Sequence, residues 1–481
     1  MAKKDLTPKS QDMSRWYTDV IQKAKMADYS PVRGCMIFRP LGYGVWEHIQ
    51  KAFDPMLKEL GIENAYFPLF IPMSFLKKEK EHVEGFSPEL AVVTIGGGEK
   101  LEEELVVRPT SETIMYDMYS KWVQSYRDLP ILINQWNNVV RWEKRTHFFL
   151  RTTEFLWQEA HTAHATHEEA WKMVLSGLNA YQKLAHEWLA VPVITGLKSE
   201  SEKFAGGLAT TAIEAMMPDG KGLQAGTSHD LGQNFSNKDA FNIAFQDEKG
   251  ETAYAWQVSF GLSTRMIGAI IMLHGDDDGL VLPPKIAPTQ VVILPVDQSD
   301  EVLVHAKEIA TELKNNDIRV KLVNDSEHSL GWRLNDAELQ GTPLTIVIGK
   351  KEVAEKTYTV SIRRSKEKVT LTGEGLGKSI SGLLEKIHTE MFETAKRKQD
   401  ELLTETESYE EFKTIMETKR GFIKAYWCED AKCEAAIKEE TKATTRCLPF
   451  IDAEGSVLEE NGVCIKCGKP ATHRWLFAQA Y

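Results

Sequence analysis

The sequence lacks the features of a membrane or secreted protein. No apolar run in its 481 residues approaches the roughly 18 to 20 residues needed to span a bilayer. The opening stretch, residues 1–16, is charged and has no apolar core, unlike a secretory signal. Hydrophobic residues make up 42% and charged residues 27%, the balance of an ordinary globular protein. We therefore expect no membrane segment and a cytoplasmic location.

Cysteine is scarce: the chain has six, which are too few for a disulfide scaffold at this length. Four of them form two close pairs, Cys428 with Cys433 and Cys464 with Cys467, separated by 30 residues. Such pairs can supply the four ligands of a tetrahedral zinc site, which leaves no position for substrate and is therefore structural. Four unrelated core cysteines, or a redox pair at 464 and 467, remain alternatives. Cys447 is expected to be an ordinary buried cysteine.

Basic residues are outnumbered, and the formal net charge is −12. This balance argues against a protein that coats nucleic acid, although a local basic surface could still bind one RNA. Residues 350–368 form such a segment, with seven basic and three acidic residues.

A glycine-rich phosphate loop of the GxxxxGK[ST] type is also missing. The consecutive glycines Gly96 to Gly98 lie between strand-like segments and predict a hairpin turn instead. An enzyme that uses ATP without such a loop must hold the triphosphate with side chains and magnesium. The sequence offers Arg141 and Glu143 at the end of a predicted strand, with residues 148–159 as its hairpin partner.

The hydrophobic pattern divides the chain into three regions. Residues 1–284 carry mixed strand and helix signals and end at a proline-rich linker. Strands and helices then alternate, which predicts a small parallel or mixed sheet with strands at 290–296, 318–323 and 344–348 and helices at 300–315 and 329–340. A charged stretch that is largely helical, 377–419, precedes the cysteine-bearing tail. We predict an α/β fold class with domains at 1–284, 285–400 and 401–481.

Several segments resemble the three signature motifs of class II aminoacyl-tRNA synthetases, in the form found in prolyl-tRNA synthetases. The first is 61–68, which in that family is a helix and strand at the dimer interface. The second is the strand that carries Arg141 and Glu143, with its loop and the returning strand that contains Arg151. The third is the helix that begins near Arg265. Residues 110–112, 203–207 and 226–229 resemble the family's proline-pocket loops.

This resemblance extends over the whole chain and implies a fold and a reaction. The expected fold is an α+β catalytic domain on an antiparallel sheet, a small α/β anticodon-binding domain and a small zinc-binding α+β domain of the archaeal and eukaryotic type. The implied reaction is ATP-dependent attachment of L-proline to tRNA(Pro) through prolyl-adenylate, with Mg²⁺ accompanying ATP and a homodimer as the assembly.

The resemblance also assigns roles to residues. The implied catalytic residues are Arg141, Glu143 and Arg265. The implied ATP contacts are those three with Arg151, Phe155, Gln224, Thr227 and Ser263. The implied proline contacts are Thr110, Glu112, Arg141, Trp157, Glu159, Phe204 and His229. Core packing remains an alternative for Trp157 and Phe204, as does a structural role for His229.

Two further expectations concern specificity. For Glu338, at a predicted helix end, the resemblance implies a role in recognising guanines of the proline anticodon, with a solvated glutamate as the alternative. The 114 positions from Arg151 to Arg265 leave no room for the editing domain that bacterial-type relatives insert there. Because missing methylenes are worth only about 1 to 3 kcal/mol, low-level activation of alanine follows.

Two other classes of protein remain as rival interpretations. One is a synthetase-like RNA-binding or regulatory protein that has lost catalysis, which the intact Arg141, Glu143, Arg151 and Arg265 disfavour. The other is a zinc-ribbon nucleic-acid module with an unrelated N-terminal region, which the acidic balance disfavours.

Overall fold

The computed structural model describes residues 6–76 and 90–481 of the chain. Its helices are α1 (Met13–Lys23), α2 (Pro40–Glu59), α3 (Glu112–Trp122), α4 (His167–Glu187), α5 (Arg265–His274), α6 (Asp300–Lys314), α7 (Leu330–Leu339), α8 (Lys350–Glu355), α9 (Leu376–Glu401), α10 (Tyr409–Glu417) and α11 (Ala431–Thr441), with a 3-10 turn at Tyr126–Asp128. Within the described ranges, no helix combines the length and apolar character that crossing a membrane requires.

The strands are, in chain order, β1 (Ala27–Tyr29), β2 (Met36–Phe38), β3 (Glu63–Asn64), β4 (Phe70–Pro72), β5 (Ala91–Gly96), β6 (Glu99–Val107), β7 (Ile131–Val140), β8 (Glu154–His164), β9 (Val193–Leu197), β10 (Ala209–Met216), β11 (Gly222–Gly232), β12 (Ala244–Gln246), β13 (Thr252–Tyr254), β14 (Trp256–Ser263), β15 (Val291–Pro295), β16 (Val320–Leu322), β17 (Leu344–Ile348), β18 (Thr357–Ile362), β19 (Lys368–Thr372), β20 (Leu403–Glu405), β21 (Phe422–Tyr426), β22 (Ala443–Pro449), β23 (Gly462–Val463), β24 (Pro470–Ala471) and β25 (Arg474–Gln479).

The largest sheet has eleven strands in the order β20-β21-β25-β22-β9-β10-β11-β14-β8-β7-β3. Its centre, from β9 to β7, is antiparallel throughout, as expected for the catalytic domain. Helix α4 begins at a capping box formed by Thr166 and Glu169. It packs across the centre of the sheet and buries an apolar stripe that includes Leu178 and Tyr181. One face of the sheet is thereby closed, and the other is left to form a site.

The hairpin predicted at Gly96 to Gly98 is confirmed, because β5 pairs with β6 around that turn. The pairing of β7 with β8 is confirmed as well. Two boundaries were wrong: β7 ends at Val140 and β8 begins only at Glu154. Arg141 and Glu143 therefore lie in the connecting loop rather than on the strand.

The middle region has the predicted alternation of strands and helices. Its sheet runs β16-β15-β17-β18-β19, with β16, β15 and β17 parallel and the last two strands antiparallel. β17 coincides with the prediction at 344–348, and β15 and β16 lie within the predicted spans. The mixed α/β class of this region is confirmed. The stretch 377–419 is helical as predicted, except that β20 separates α9 from α10.

The C-terminal strands extend the catalytic sheet instead of forming a separate one. β22 pairs with β9 through Leu448 opposite Leu197 and Pro449 opposite Gly196. Glycine is needed at 196, because a Cβ there would collide with the carbonyl oxygen of Leu448. We call this contact between β9 and β22 the seam. Only two residues of each strand are paired along it, so side-chain contacts are needed to stabilise it.

A buried ionic cluster crosses this seam. Arg446 of β22 donates from Nε and Nη2 to Glu214 Oε2 of β10, at 3.0 and 2.7 Å. Lys198 Nζ lies 3.4 Å from the other oxygen of Glu214. All three residues are buried. Buried charges require such pairing, because an unpaired one would cost several kcal/mol, on the order of 3 to 5.

The connection between the first two regions is packed rather than open. Leu280 and Leu282 donate backbone hydrogen bonds to the carbonyl oxygens of Leu339 and Gly341, at 3.0 and 3.2 Å. Both leucines are buried. The predicted linker is therefore a rigid junction that fixes the α/β region against the catalytic region.

Candidate active site

A cavity of about 490 Å³ opens on the free face of the central sheet. Predicted site residues from five different segments line it, and these are Thr110, Glu112, Arg141, Trp157, Glu159, Phe204, Gln224, Thr227 and His229. Strand geometry explains the convergence, because alternate residues of a strand point to the same face. Phe155, Trp157, Glu159 and His161 follow that alternation along β8.

One end of the cavity is acidic. Glu159 Oε2 accepts hydrogen bonds from Thr110 Oγ1 and from the Ser111 amide, each at 2.9 Å. Its Oε1 accepts from Asn137 Nδ2 at 2.6 Å. Burial by itself raises the pKa of Glu159, but His161, 3.0 Å away, and Ser111 hold that pKa at about 2. Glu159 is therefore ionised at neutral pH.

His161 joins this glutamate to a second one. Its Nδ1 lies 3.8 Å from Glu112 Oε1, which also accepts from the Tyr116 hydroxyl at 3.1 Å. Burial lowers the pKa of His161, yet the hydrogen bond and charge of Glu159 outweigh burial and raise it. Burial raises the pKa of Glu112, and the His161 charge opposes this only in part. The pair of carboxylates around one imidazolium makes this end suited to a cation.

His161 was not among the predicted site residues, although the sequence carried a signal for it. The predicted site residues of β8 are Phe155, Trp157 and Glu159, which lie at every second position. His161 is the next residue in that series. His229, which was predicted, lies opposite Ser259 on β14 and accepts or donates a bond with Thr210 Oγ1 at 2.9 Å. Burial, with smaller effects of His161 and Arg141, lowers the pKa of His229 to about 3, so its ring is neutral.

The other end of the cavity is basic. Arg141 Nε donates to the Pro109 carbonyl at 3.0 Å, and the guanidinium lies over the rings of Trp157 and Phe155 at 5.2 and 5.5 Å. Burial lowers the pKa of Arg141, and Glu159 opposes that shift. The stacking and the backbone bond fix the plane of the guanidinium, which leaves its Nη atoms to meet an anion.

A second, smaller depression adjoins the cavity and shares Arg141 with it. The depression is lined by Arg141, Glu143, Phe149, Leu150, Arg151, Thr152, Phe155, Ser263 and Arg265. Arg265 donates from Nε to the Leu150 carbonyl at 3.1 Å and from Nη1 to the Gln224 carbonyl at 3.3 Å. Burial, and then the charges of Arg151 and Arg141, lower the pKa of Arg265 to about 10, so it stays a cation at neutral pH.

Glu143 and Arg151 lie at the open side of this depression. Their side chains form an ion pair with Nε to Oε2 at 3.5 Å, and both are partly exposed. A surface pair of this kind contributes about 0 to 1 kcal/mol. It can therefore separate at little cost when an anion or a metal–phosphate complex arrives.

The four paired cysteines meet in one cluster. Their sulfur atoms all lie within 4.8 Å of one another, with Cys428 Sγ 3.7 Å from Cys433 Sγ and 3.6 Å from Cys467 Sγ. Four sulfurs at about 2.3 Å from a central ion would be about 3.8 Å apart, so the donor set fits a tetrahedral metal. Gly468, with φ of 73°, makes the turn after Cys467. Cys447 is buried in β22 outside the cluster, as predicted.

Glu338 lies at the C-terminal end of α7, as predicted, but it is engaged. Lys366 Nζ contacts Glu338 Oε1 at 2.5 Å and Asp278 Oδ2 at 2.7 Å. Arg364 donates to the Glu390 carbonyl at 3.1 Å. Part of the basic excess in 350–368 therefore makes contacts within the protein, and the surface left for RNA is smaller than the residue count suggested.

Three segments of the chain match known family descriptions. Residues 94–274 match the "tRNA synthetase class II core domain (G, H, P, S and T)", residues 290–383 match "Anticodon binding domain", and residues 409–481 match "Prolyl-tRNA synthetase, C-terminal".

Full-length relatives agree with these matches. The chain is 52% identical over 483 residues to the proline--tRNA ligase of Chlorobium chlorochromatii (strain CaD3), covering 99% of each chain. It is 50% identical over 484 residues to that of Natranaerobius thermophilus, covering 99% of this chain and 98% of the relative. The crystal structure of prolyl-tRNA synthetase from Cryptosporidium parvum, complexed with halofuginone and AMPPNP, superposes with a TM-score of 0.92 at 42% identity and 99% coverage of both chains. The chain therefore belongs to the prolyl-tRNA synthetase family of the class II aminoacyl-tRNA synthetases.

Proposed function

We propose that the large cavity and the adjoining depression together bind the substrates of this family's reaction, the ATP-dependent attachment of L-proline to tRNA(Pro). The observation that carries this proposal is the change of charge from the acidic end of the cavity to the basic depression. The Glu112–His161–Glu159 end suits a secondary ammonium, and Arg141 comes next. Arg151 and Arg265 follow in the adjoining depression, where phosphates would lie. An amino acid and ATP placed in that order bring carboxylate and α-phosphate together at Arg141.

In the first step, a carboxylate oxygen of proline attacks the α-phosphorus of ATP and the bond to pyrophosphate breaks. Both reactants are anionic, so alignment and neutralisation are the main tasks of the protein. We assign Arg141 to the carboxylate and the α-phosphate, and Arg151 and Arg265 to the outer phosphates. Glu143 would act beside them, and Mg²⁺ bound to ATP would reduce the remaining repulsion. In the second step, a hydroxyl at the tRNA 3′ end attacks the acyl carbon and AMP leaves.

The remaining polar and aromatic residues would recognise the two ligands. We assign Thr110, Glu112 and Glu159 to the ammonium of proline, and Trp157, Phe204 and His229 to its ring. The Trp157 side chain lines the large cavity and is only partly buried, which supports contact with a ligand over simple core packing. For ATP, Phe155 would stack on adenine, and Gln224, Thr227 and Ser263 would supply polar contacts.

We also propose domains at 1–284, 285–400 and 401–481, with structural Zn²⁺ at the four cysteines. The sulfur spacing supports zinc. The zinc domain, and the absence of an inserted domain among the described residues between Arg151 and Arg265, support the archaeal and eukaryotic-type architecture. Since tRNA is its substrate, we place the enzyme in the cytoplasm.

We propose a homodimer formed by the first signature segment and its neighbours. Exposed large hydrophobic side chains concentrate there, including Tyr66, Phe70, Val92 and Ile95. A patch of exposed hydrophobic side chains of this kind is typical of a protein–protein interface. Sedimentation equilibrium would test this: Tyr66→Glu with Phe70→Glu should yield monomers, whereas Val463→Glu, at an exposed residue of the C-terminal region, should not.

Proline-dependent exchange of pyrophosphate into ATP tests the central assignment. Arg141→Ala should abolish exchange, and Arg15→Ala, which removes an arginine whose side chain is 73% exposed, should leave it unchanged. Exchange that does not depend on proline, or none at all in the unmodified protein, would contradict the proposal and favour a chain that has lost catalysis.

Anticodon recognition by Glu338 requires a separate measurement. We expect Glu338→Ala to lower kcat/KM for tRNA(Pro) in aminoacylation while proline-dependent exchange stays unchanged. Lys366→Ala is the control for the ion pair, because it removes that lysine and retains the Glu338 carboxylate. Equal losses in both variants would indicate a structural role for Glu338 instead.

A further inference from the structure

The carboxylate of Glu434 lies between the four-cysteine cluster and the loop that carries Phe204. Glu434 follows Cys433 directly in the first turn of α11, and both residues are buried. Any ion held by the cysteines would fix the backbone of Cys433 and, with it, the start of α11. The neighbouring carboxylate points to the catalytic region rather than to the cluster, because all three of its hydroxyl partners lie there or on β22.

Three hydroxyl groups donate to this carboxylate. Ser199 Oγ donates to Oε1 at 2.9 Å and Ser201 Oγ donates to Oε2 at 2.5 Å. The Thr445 hydroxyl of β22 also donates to Oε1. Hydrogen bonds to an ionised acceptor are roughly twice as strong as neutral ones, so the two serines are held firmly although they lie in a loop.

Ser199 in turn fixes the backbone that leads to Phe204. The amides of Glu202 and Lys203 both donate to the Ser199 carbonyl, at 3.1 and 2.9 Å. The amide of Phe204 donates to Thr210 Oγ1 at 2.8 Å, and the Phe204 ring lines the cavity. An unbroken series of contacts therefore runs from the cysteine cluster to one wall of the amino-acid pocket.

We propose that Glu434 is a positioning residue, which holds the Phe204 loop in the conformation that binds proline and which the cysteine cluster keeps in place through Cys433. The proposal rests on the assignment of the large cavity to proline. It gives the C-terminal region a role in substrate affinity in addition to stability. The series of contacts ends on the amino-acid side of the cavity, and none of its members lines the depression assigned to the phosphates.

The first test compares Michaelis constants of the full-length enzyme in pyrophosphate exchange. Glu434→Ala should raise the KM for proline about tenfold, the effect expected from losing one or two charge-assisted hydrogen bonds, and leave the KM for ATP within about twofold. Glu434→Gln, whose amide oxygen can still accept from the serines, should recover most of the affinity. Glu439→Ala changes an exposed glutamate of the same helix and should have no effect. An unchanged proline KM in a folded Glu434→Ala enzyme would overturn the proposal.

A second readout does not depend on activity. Hydrogen–deuterium exchange over residues 199–204 should be faster in Glu434→Ala and in wild-type protein stripped of metal by a chelator. Stripping Glu434→Ala should add little at that loop, because the connection is already broken. Additive effects of the two changes would contradict coupling through Glu434.

Two further variants separate the possible failures. Phe204→Ala should raise the proline KM if the cavity binds proline; no change would refute the pocket assignment itself. A change in Phe204→Ala without one in Glu434→Ala would refute only the positioning role. If Glu434→Ala does not fold, Ser201→Ala is the substitute, because it removes one of the loop's hydrogen bonds to the carboxylate at an exposed position. It should raise the KM for proline and leave the KM for ATP unchanged; an unchanged proline KM would overturn the positioning role.

Discussion

Arg363 and Asp276 form a two-point ion pair between the α/β region and the catalytic region. Nη1 lies 2.8 Å from Oδ2 and Nη2 lies 2.5 Å from Oδ1. The Arg363 side chain is 2% exposed, whereas that of Asp276 is 37% exposed. Asp276 follows α5, the helix that begins at Arg265, after one intervening glycine. The arginine thus fixes the α/β region to the element that carries a proposed phosphate-binding residue.

Arg363→Ala should weaken this junction. We expect a loss of about 1 to 2 kcal/mol in the free energy of unfolding, below the value for a fully buried pair because water screens Asp276. Burial raises the pKa of Asp276, but Arg363 outweighs it and lowers that pKa. The contribution is therefore present above the carboxyl's ordinary pKa and is lost as the pH falls through the lowered value. Urea denaturation at neutral pH, with Arg397→Ala on an exposed helix face as control, measures the loss.

Arg446→Ala should be more damaging, because its partner has no contact with water. Glu214 is fully buried, and Lys198 alone would have to balance it at 3.4 Å. Removing one partner of a buried pair typically costs about 3 to 5 kcal/mol. Denaturation midpoints of Arg446→Ala and of Arg474→Ala, a less buried arginine of the neighbouring strand, should differ accordingly. Equal midpoints would show that the seam does not depend on this charge.

The stability of the pocket should depend on pH through His161. Its pKa in the folded protein is raised, so its contribution is complete below the ordinary value near 6.5 and is lost as the pH rises through the folded value. His161→Gln cannot titrate. The difference in unfolding free energy between wild type and this variant should therefore be largest near pH 6 and shrink toward pH 9. A difference that grows with pH would contradict an ionised His161–Glu159 pair.

Replacing any one of the four clustered cysteines should abolish the binding of one metal ion per chain. Cys433→Ser should reduce the zinc content of purified protein to near zero and lower the melting temperature, because a structural ion contributes directly to folding. Cys447→Ala should retain its zinc, since that thiol lies outside the cluster. Elemental analysis by plasma mass spectrometry distinguishes the two. Retention of zinc by Cys433→Ser would contradict the assigned ligand set.

Alanine should support measurable pyrophosphate exchange. It lacks two ring carbons of proline, and each missing methylene is worth about 1 to 3 kcal/mol, so we expect kcat/KM to fall roughly 10² to 10⁴-fold rather than to vanish. The comparison requires alanine freed of proline by enzymatic or chromatographic purification. Failure to detect alanine-dependent exchange would count against a pocket that discriminates by size alone.

Local patterns in the sequence were sufficient to predict some elements closely. The strand Leu344–Ile348 was predicted at its observed bounds because a short run rich in β-branched residues lies between Pro343 and Gly349. The pairing of β7 with β8 was predicted from two neighbouring strand-like segments. The boundaries around Arg141 failed because an arginine and a glutamate at alternate positions look alike on a strand and in a loop.

Long-range pairings could not be predicted in this way. The seam between β9 and β22 joins residues about 250 positions apart through a short ladder, and no local pattern indicates it. The internal contacts of the basic segment 350–368 could not be predicted for a related reason, because the partners of Arg363 and Lys366 include acids from 276–278. The predicted pocket residues converged because motif resemblance, unlike periodicity, carries tertiary information.

The continuous eleven-stranded sheet has a consequence for any shortened form of this enzyme. Removing residues 401–481 would leave the edge of β9 without a neighbour, presenting unpaired backbone groups to other molecules in solution. Exposed strand edges of that kind promote edge-to-edge association. Fragments made for biochemistry should therefore precipitate or form oligomers unless that edge is protected, for example by a proline or a lysine placed on the outer face of β9.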